Sequence, residues 1–235
     1  ENANSIRVRM GQNSGTVQVY GSYICGNTIV KTHNVSVNIP ADNTVMLVVG
    51  DPVLAGGDQA LKTFLENEGY SVWVIDDNDT ETSLAGCASL IVISNSASAA
   101  QVRSKFLNVE IPVIVLQPEL YPDMIYTFGV QGTDWGVSSG TQITIIDSTH
   151  QLAAGLGEEA VSIYNASNTI HWGKPGNYSI PIANADNNVQ HIAVFGYEKG
   201  SYLANKVNKA MARRVGFFIV QTSISDLSLL GDSLF

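Results

Sequence analysis

The sequence predicts an α/β fold, a three-layer sandwich in which helices cover both faces of a central, largely parallel sheet. Residues 45–49 form a continuous apolar run that ends at Gly50-Asp51, which is typical of a strand buried on both faces. Similar short apolar runs follow at 71–75, 90–93 and 113–116. Between the first two runs, the apolar positions take the spacing of an amphipathic helix, and strands that alternate with helices indicate a parallel sheet.

The first helix is predicted after Gly56-Gly57, with Asp58 as its N-cap and Gly69 as its stop. Its buried stripe is formed by three apolar residues, Leu61, Phe64 and Leu65. A second helix is expected over 99–107. The later half predicts an antiparallel extension of the sheet, with strands at 142–146, 161–164, 178–183 and 191–195, a hairpin or short helix at 203–211, a buried strand at 215–220 and a final helix over 224–235.

The first 40 residues predict a separate β appendage. Residues 5–9, 15–20 and 30–39 alternate β-forming and polar residues between Gly and Asn turns. The formal charge also changes at this point, from +2 over residues 1–40 to −11 over residues 41–235. We therefore expect two domains, residues 1–40 and residues 41–235.

Composition excludes several classes of protein. The chain is 45% hydrophobic and 14% charged, which describes a globular protein with a neutral surface. Its net charge of −9 argues against nucleic acid or an anionic membrane as the partner, and no apolar run reaches the roughly 18 residues that a membrane span needs. Cys25 and Cys87 are too few for a disulfide framework, and we expect them not to be bonded to each other.

The appendage resembles the last strands of a known class of module. The run 15–27, with Cys25-Gly26 ahead of a final strand at 35–38, is similar to the end of the PKD-like and immunoglobulin-like repeats of large secreted bacterial proteins. This resemblance implies an extracellular or cell-surface location.

From residue 45 to residue 235 the chain resembles the class I glutamine amidotransferase-like proteins, which have a flavodoxin-like fold, and above all their extracellular relatives. The resemblance is carried by runs that begin at Leu47, Leu65, Leu90, Pro112, His150, Tyr197 and Arg213. In working amidotransferases of this kind a nucleophilic Cys follows the strand that corresponds to residues 112–116. Gln117 stands at that position here, and an amide side chain cannot supply a thiolate.

Polar residues follow the predicted parallel strands and form a candidate cleft, because ligands of open α/β sheets bind beyond the carboxyl ends of the strands. These residues are Asp51, Ser94, Asn95, Ser96, Gln117 and Glu119. The other interpretation is that they cap helices and solvate turns.

His171 and Trp172 join the candidate cleft, because a titratable ring beside an aromatic one is common in small-molecule sites. The favoured interpretation of His171 is still a structural one, in which the imidazole fills a hydrogen-bonding niche. Tyr197 and Glu198 are also candidates, although residues 197–200 predict a turn in which Glu198 pairs with Arg213 or Arg214. His150 suits a helix cap or a buried hydrogen-bond partner more than a ligand.

No cofactor or metal is expected. Asp76, Asp77 and Asp79 form an acidic cluster, but they lack the regular spacing and the distal Glu of a calcium loop. Gly56-Gly57-Asp58 lacks a dinucleotide-binding or Walker pattern.

The sequence is compatible with two functions. The first is a non-catalytic accessory or interaction module of a larger secreted bacterial protein, whose partners are the other domains of that protein and a carbohydrate or small-molecule ligand. The second is a hydrolase of the polar cleft that uses Glu119, His171 and either Ser94 or Ser96. The missing nucleophile favours the first.

Overall fold

The computed structural model describes residues 15–22, 28–35 and 43–234, and it divides the chain into two compact units, Glu1–Pro40 and Ala41–Phe235. In the first unit, strand β1 (Gly15–Ser22) pairs in antiparallel fashion with strand β2 (Thr28–Val35). The strand predicted at residues 5–9 and the residue Cys25 lie outside the described residues. The immunoglobulin-like assignment of this unit stays a prediction.

The described part of the second unit is built on one sheet of eleven strands with few helices. The strands are β3 (Thr44–Val49), β4 (Ser71–Asp76), β5 (Leu90–Ile93), β6 (Val113–Val115), β7 (Trp135–Gly140), β8 (Gln142–Ile145), β9 (Ala160–Ser162), β10 (Asn168–Gly173), β11 (Ile180–Asn184), β12 (Ile192–Tyr197) and β13 (Arg214–Gly216). The helices are α1 (Gly56–Asn67), α2 (Ala99–Val102) and α3 (Leu229–Leu234). No described helix is both long and apolar enough to span a bilayer.

The sheet is parallel in one half and antiparallel in the other. Strands β4, β3, β5, β6 and β13 lie side by side in that order and run parallel. Strands β12, β11, β8 and β9 continue the sheet in antiparallel fashion, and β10 joins it by pairing with β12 and β7. The predicted flavodoxin-like architecture, a central parallel sheet with an antiparallel extension, is confirmed.

Each face of the sheet has its own apolar core, because alternate residues of a strand point to opposite faces. Val45, Leu47 and Val49 of β3 pack in one core with Leu61 and Leu65 of α1. Met46 and Val48 of β3 pack in the other core, which also contains Val102 of α2 and the rings of Tyr121 and Tyr126.

Several predicted elements differ from the observed ones. The helix expected over 99–107 ends at Val102, because Arg103 takes a left-handed backbone conformation with φ of 49°. The final helix is split into a 3₁₀ turn at Gln221–Asp226 and α3. Strands β7 and β10 were not predicted at all.

Arg214, the first residue of β13, is completely buried, and both of its terminal guanidinium nitrogens donate to main-chain oxygens, whereas its Nε has no hydrogen-bond partner in the described residues. Its Nη1 donates to the carbonyl of Ile111 at 2.9 Å, and its Nη2 donates to those of Leu107 and Val109 at 3.1 and 2.5 Å. Burial lowers the pKa of Arg214 from its ordinary value. The neighbouring Arg213 takes the predicted ion pair instead, with Nε 2.8 Å from Oε1 of half-exposed Glu198.

We predict that Arg214→Leu lowers the free energy of unfolding by about 3–5 kcal/mol, because it leaves several buried carbonyls without a donor. The matched control Arg213→Leu removes a partly exposed ion pair and should cost about 1 kcal/mol or less. Urea unfolding followed by circular dichroism measures both. Equal losses for the two variants would contradict this role of Arg214.

Candidate functional site

The carboxyl end of β6 carries Gln117, the residue in the place of the nucleophile. Gln117 has extended backbone angles, φ −93° and ψ 103°, and the 3₁₀ turn Pro118–Leu120 follows it directly. Proline after Gln117 disfavours a helical conformation for that residue, which explains the extended geometry. The Gln117 side-chain amide donates to the carbonyls of Asn95 and Ala97 at 2.9 and 3.3 Å. Gln117 therefore ties the end of β6 to the loop after β5.

The loops after β3 and β5 meet where a ligand crevice would be expected. The chain passes from β3 outward to β4 and then returns to the other side of β3 with β5, so the direction of strand progression reverses between β3 and β5. At this point the Gly50 N–H donates to Ser96 Oγ at 3.2 Å. A Cβ atom built on Gly50 would lie only 2.4 Å from the Ser96 carbonyl oxygen. Direct backbone contact thus fills this point of the crevice.

Ser94 and Ser96 belong to a hydrogen-bonded chain that ends on helix α1. The Ser94 hydroxyl is completely buried and donates to Asp58 Oδ1 at 2.5 Å, while the Ser96 hydroxyl donates to Ser94 Oγ at 3.3 Å. The predicted N-cap role of Asp58 is wrong: the N-cap position is Ala55, and Asp58 lies within the first turn, where its carboxylate accepts the hydrogen bond from Ser94. An anion in a first helical turn is favoured by the helix dipole.

The chain near its carboxyl end covers the same edge of the sheet. The Gln221 N–H donates to Asn95 Oδ1 at 3.3 Å. A Cβ atom on Gly57, in the first turn of α1, would lie 2.6 Å from the Gln221 carbonyl carbon. The turn Gln221–Asp226 therefore packs directly on the start of α1.

His171 lies beside the end of β6, on the unpredicted strand β10. Its ring is buried, and its Nδ1 is 2.7 Å from the carbonyl oxygen of Leu116, the residue before Gln117. Because a carbonyl only accepts, Nδ1 carries the proton of the neutral ring and Nε2 carries the lone pair. Burial lowers the pKa of His171 to about 4, so the ring is neutral at pH 7.

Trp172, the next residue of β10, points to the opposite face of the sheet. It is buried in the core that contains α1, and its ring stacks on His191 with centroids 3.7 Å apart. Trp172 and His171 therefore cannot line one cleft together, since adjacent residues of a strand face opposite ways.

Tyr197 and Glu198 lie at the other edge of the sheet, away from Gln117. Strand β12 is antiparallel, and Tyr197 pairs with Arg214 at the beginning of β13, so its carboxyl end meets the amino ends of the parallel strands. The Tyr197 hydroxyl donates to the Tyr126 carbonyl at 2.6 Å. Glu198 accepts from Arg213, and its Oε1 is also 3.3 Å from His150 Nε2. The predicted cap role of His150 is confirmed, because its Nδ1 accepts from the Leu152 N–H.

The two remaining candidates are exposed. Asp51 Oδ1 accepts from the Val53 N–H at 2.8 Å and so closes a turn after β3. Glu119 projects to solvent from the 3₁₀ turn after Gln117. The structure therefore brings Ser94, Asn95, Ser96 and Gln117 into one hydrogen-bonded group, with His171 behind it.

In the acidic cluster after β4, the carboxylates of Asp76 and Asp77 accept hydrogen bonds from backbone N–H groups. Asp76 Oδ1 accepts from the Asn78 N–H, and this hydrogen bond lowers the pKa of Asp76. Asp77 Oδ2 accepts from the Ser98 N–H at 2.7 Å. Within residues 43–234, no three His, Cys, Asp or Glu side chains are grouped as metal ligands would be. Cys87 is free and exposed.

Comparison with known proteins reveals the fold of the chain but no family by sequence. No family model and no curated protein matches it. A protein from Thermoplasma acidophilum assigned to GMP synthase matches with a TM-score of 0.52 and 10% identity, over 81% of this chain and 89% of that protein. The fold is glutamine amidotransferase-like.

Two further solved structures are similar. A ThuA-like protein from Bacteroides uniformis matches with a TM-score of 0.51 and 7% identity, over 85% of this chain and 91% of its own. A glutamine amidotransferase from Thermotoga maritima matches with a TM-score of 0.43 and 9% identity, over 77% of each chain. At such identities the likeness concerns the fold alone.

We predict that Gly50→Ala lowers the free energy of unfolding by about 1–3 kcal/mol, since the new methyl group collides with the Ser96 backbone. The control Gly86→Ala adds a methyl group where no atom lies within 4 Å and should change stability little. Thermal unfolding compares the two variants. A Gly50→Ala variant as stable as Gly86→Ala would show that the two loops do not press together.

We predict that His171 makes the protein less stable as the pH falls. The unfolded chain binds a proton near pH 6.5 and the folded protein only near pH 4, so stability is lost between these values, by about 3 kcal/mol in total. His171→Gln keeps a donor for the Leu116 carbonyl and should flatten this part of the profile. Urea unfolding at several pH values tests this, and an unchanged slope in the variant would refute it.

Proposed function

We propose that residues 41–235 form a non-catalytic accessory or interaction module of a larger secreted bacterial protein associated with polysaccharide processing. The observation that carries this proposal is the state of the expected ligand crevice, which is occupied by the side chains and loops of the protein itself. Gln117 occupies the nucleophile position, and its side-chain amide donates hydrogen bonds to the carbonyls of Asn95 and Ala97. The secreted context rests on the sequence resemblance of the appendage.

The chemistry that an amidotransferase needs is missing at two points. An amide is a poor nucleophile, and the route through a thiolate requires a Cys. The residue after the nucleophile would normally supply a backbone N–H to an oxyanion, but here that residue is Pro118, which has none. Replacement of Gln117 alone therefore leaves the second defect in place.

The alternative, a hydrolase that uses Ser94 or Ser96 with Glu119 and His171, has less support. The Ser94 hydroxyl is buried and donates to Asp58, whereas Glu119 faces solvent. Nδ1 of His171 is held by the Leu116 carbonyl. A triad needs a base within hydrogen-bond reach of the nucleophile, and neither serine has His171 among its hydrogen-bond partners in the described residues.

We predict that the purified protein releases no ammonia from glutamine and that Gln117→Cys is also inactive, because the N–H lost at Pro118 is still missing. A coupled assay for ammonia measures both proteins, with denatured protein as the blank. Turnover by the unmodified protein would overturn the proposal. Turnover by Gln117→Cys alone would show that the cysteine was the only missing part.

A further inference from the structure

Two exposed tyrosines form a paired aromatic surface on the face of the second unit that carries Tyr126 and Tyr197. Tyr178 is 51% exposed and Tyr202 is 37% exposed. Their ring centroids are 5.5 Å apart and their planes are inclined by 55°. We call the segments that carry them, residues 174–179 and 199–210, the tyrosine surface. Large aromatic rings left partly in water at such a spacing form an apolar platform against which a ligand can pack its apolar groups.

The two segments are held rigidly together. A Cβ atom on Gly176 would lie 2.5 Å from the Ala204 Cα, so the two backbones are in direct contact. The Gly176 N–H also donates to the buried Tyr197 hydroxyl at 2.7 Å, and the Ala204 N–H donates to the Ile125 carbonyl at 3.0 Å. The platform is therefore preorganised, which reduces the entropy cost of binding.

The charge of the tyrosine surface is opposite to that of the chain. Its two segments contain four lysines, Lys174, Lys199, Lys206 and Lys209, and no acidic residue, although the net charge of the chain is −9. Lys209 Nζ lies 4.8 Å from the centroid of the Tyr202 ring. A cation held over an aromatic face favours a ligand that brings an anionic group to the edge of the ring.

A shallow pocket of about 260 Å³ adjoins the platform. Asn177 and Ser179, the neighbours of Tyr178 on either side, both line it, together with Lys174 and Gln190. Amide, hydroxyl and ammonium groups thus line a pocket formed by the same segment that carries Tyr178, and this is the combination that fixes the orientation of a ligand rich in hydroxyl groups.

We propose that the tyrosine surface binds an acidic saccharide, a chain of sugars that carries carboxylates. The C–H faces of the sugar rings stack on Tyr178 and pack beside the edge of Tyr202, the carboxylates pair with the lysines, and the hydroxyls bond to Asn177 and Ser179. A nucleic acid fits less well, because the charge of −9 repels a polyanion with a charge on every residue. This proposal deepens the proposed function by naming a ligand class and a surface for the module.

The test is isothermal titration calorimetry of the full 235-residue chain with hyaluronan oligosaccharides, which carry a carboxylate only on alternate sugars. We expect measurable binding by the unmodified protein, with a Kd below about 1 mM. The double variant Tyr178→Ala/Tyr202→Ala should bind about tenfold more weakly, and Lys206→Gln/Lys209→Gln should weaken binding while leaving both rings in place. Both pairs of side chains are at least partly exposed, so circular dichroism should show unchanged folding.

Matched controls separate this surface from general effects. Tyr70→Ala removes a tyrosine of similar exposure, 38%, from the start of β4, and Lys62→Gln removes a lysine from α1. Both should bind the hyaluronan oligosaccharides as the unmodified protein does. Neutral cello-oligosaccharides of equal length should bind more weakly than the acidic ones, since they lack the carboxylates.

Several results would overturn the proposal. These are no heat of binding with hyaluronan oligosaccharides, equal affinity in the double tyrosine variant, or tighter binding of oligothymidylate or polyglutamate than of the acidic sugar. Each of these would leave the non-catalytic module as it stands, because that proposal is tested separately by ammonia release from glutamine.

Discussion

The buried cation of Arg214 is the interaction on which the parallel half of the sheet depends. Its guanidinium donates to the carbonyls of the loop 107–111, which leads directly into β6. Arg214 also pairs with Val113, the first residue of β6. A buried cation is costly unless its donors find hydrogen-bond partners, and here main-chain oxygens accept from both terminal nitrogens of the guanidinium. The entry of β6, and with it the position of Gln117 at the exit, is thereby fixed to β13.

Once β6 is fixed, the polar groups near its carboxyl end form hydrogen bonds with other parts of the same chain. The residues that would hold a ligand in a related fold are of the expected types, amides, hydroxyls and a carboxylate at strand ends. Here Gln117 bonds to the loop after β5, Ser94 bonds to α1 and Gln221 closes over Asn95. Polar groups at this edge must find partners once water is excluded, and those partners are inside the chain. These internal hydrogen bonds stabilise the carboxyl-end edge of the sheet, and they occupy the groups that would otherwise line an open cleft.

The parallel strands and α1 could be predicted because each is encoded locally, in continuous apolar runs or in helical spacing. Strand β10 could not, because its sequence Asn168–Gly173 mixes polar and apolar residues and only pairing with β7 and β12 makes it a strand. The hydrogen bond from Ser94 to Asp58 joins residues that are 36 positions apart, so no local sequence pattern indicates it. Tyr197 and Glu198 were grouped with the cleft because a strand pattern does not reveal the direction in which the strand runs.

The closed edge and the tyrosine surface are connected through the same aromatic core. Tyr197 extends from β12 to bond both Tyr126 and Gly176, so the layer that seals one face of the sheet also holds the turn that carries Tyr178. Each lysine of the tyrosine surface attracts an anionic group only within the screening distance, about 8 Å at physiological salt. The net negative charge of the chain, in contrast, repels an approaching polyanion as a whole. A ligand of sparse charge and apolar ring faces satisfies both conditions, because it gains the local contacts and carries little charge for the rest of the protein to repel.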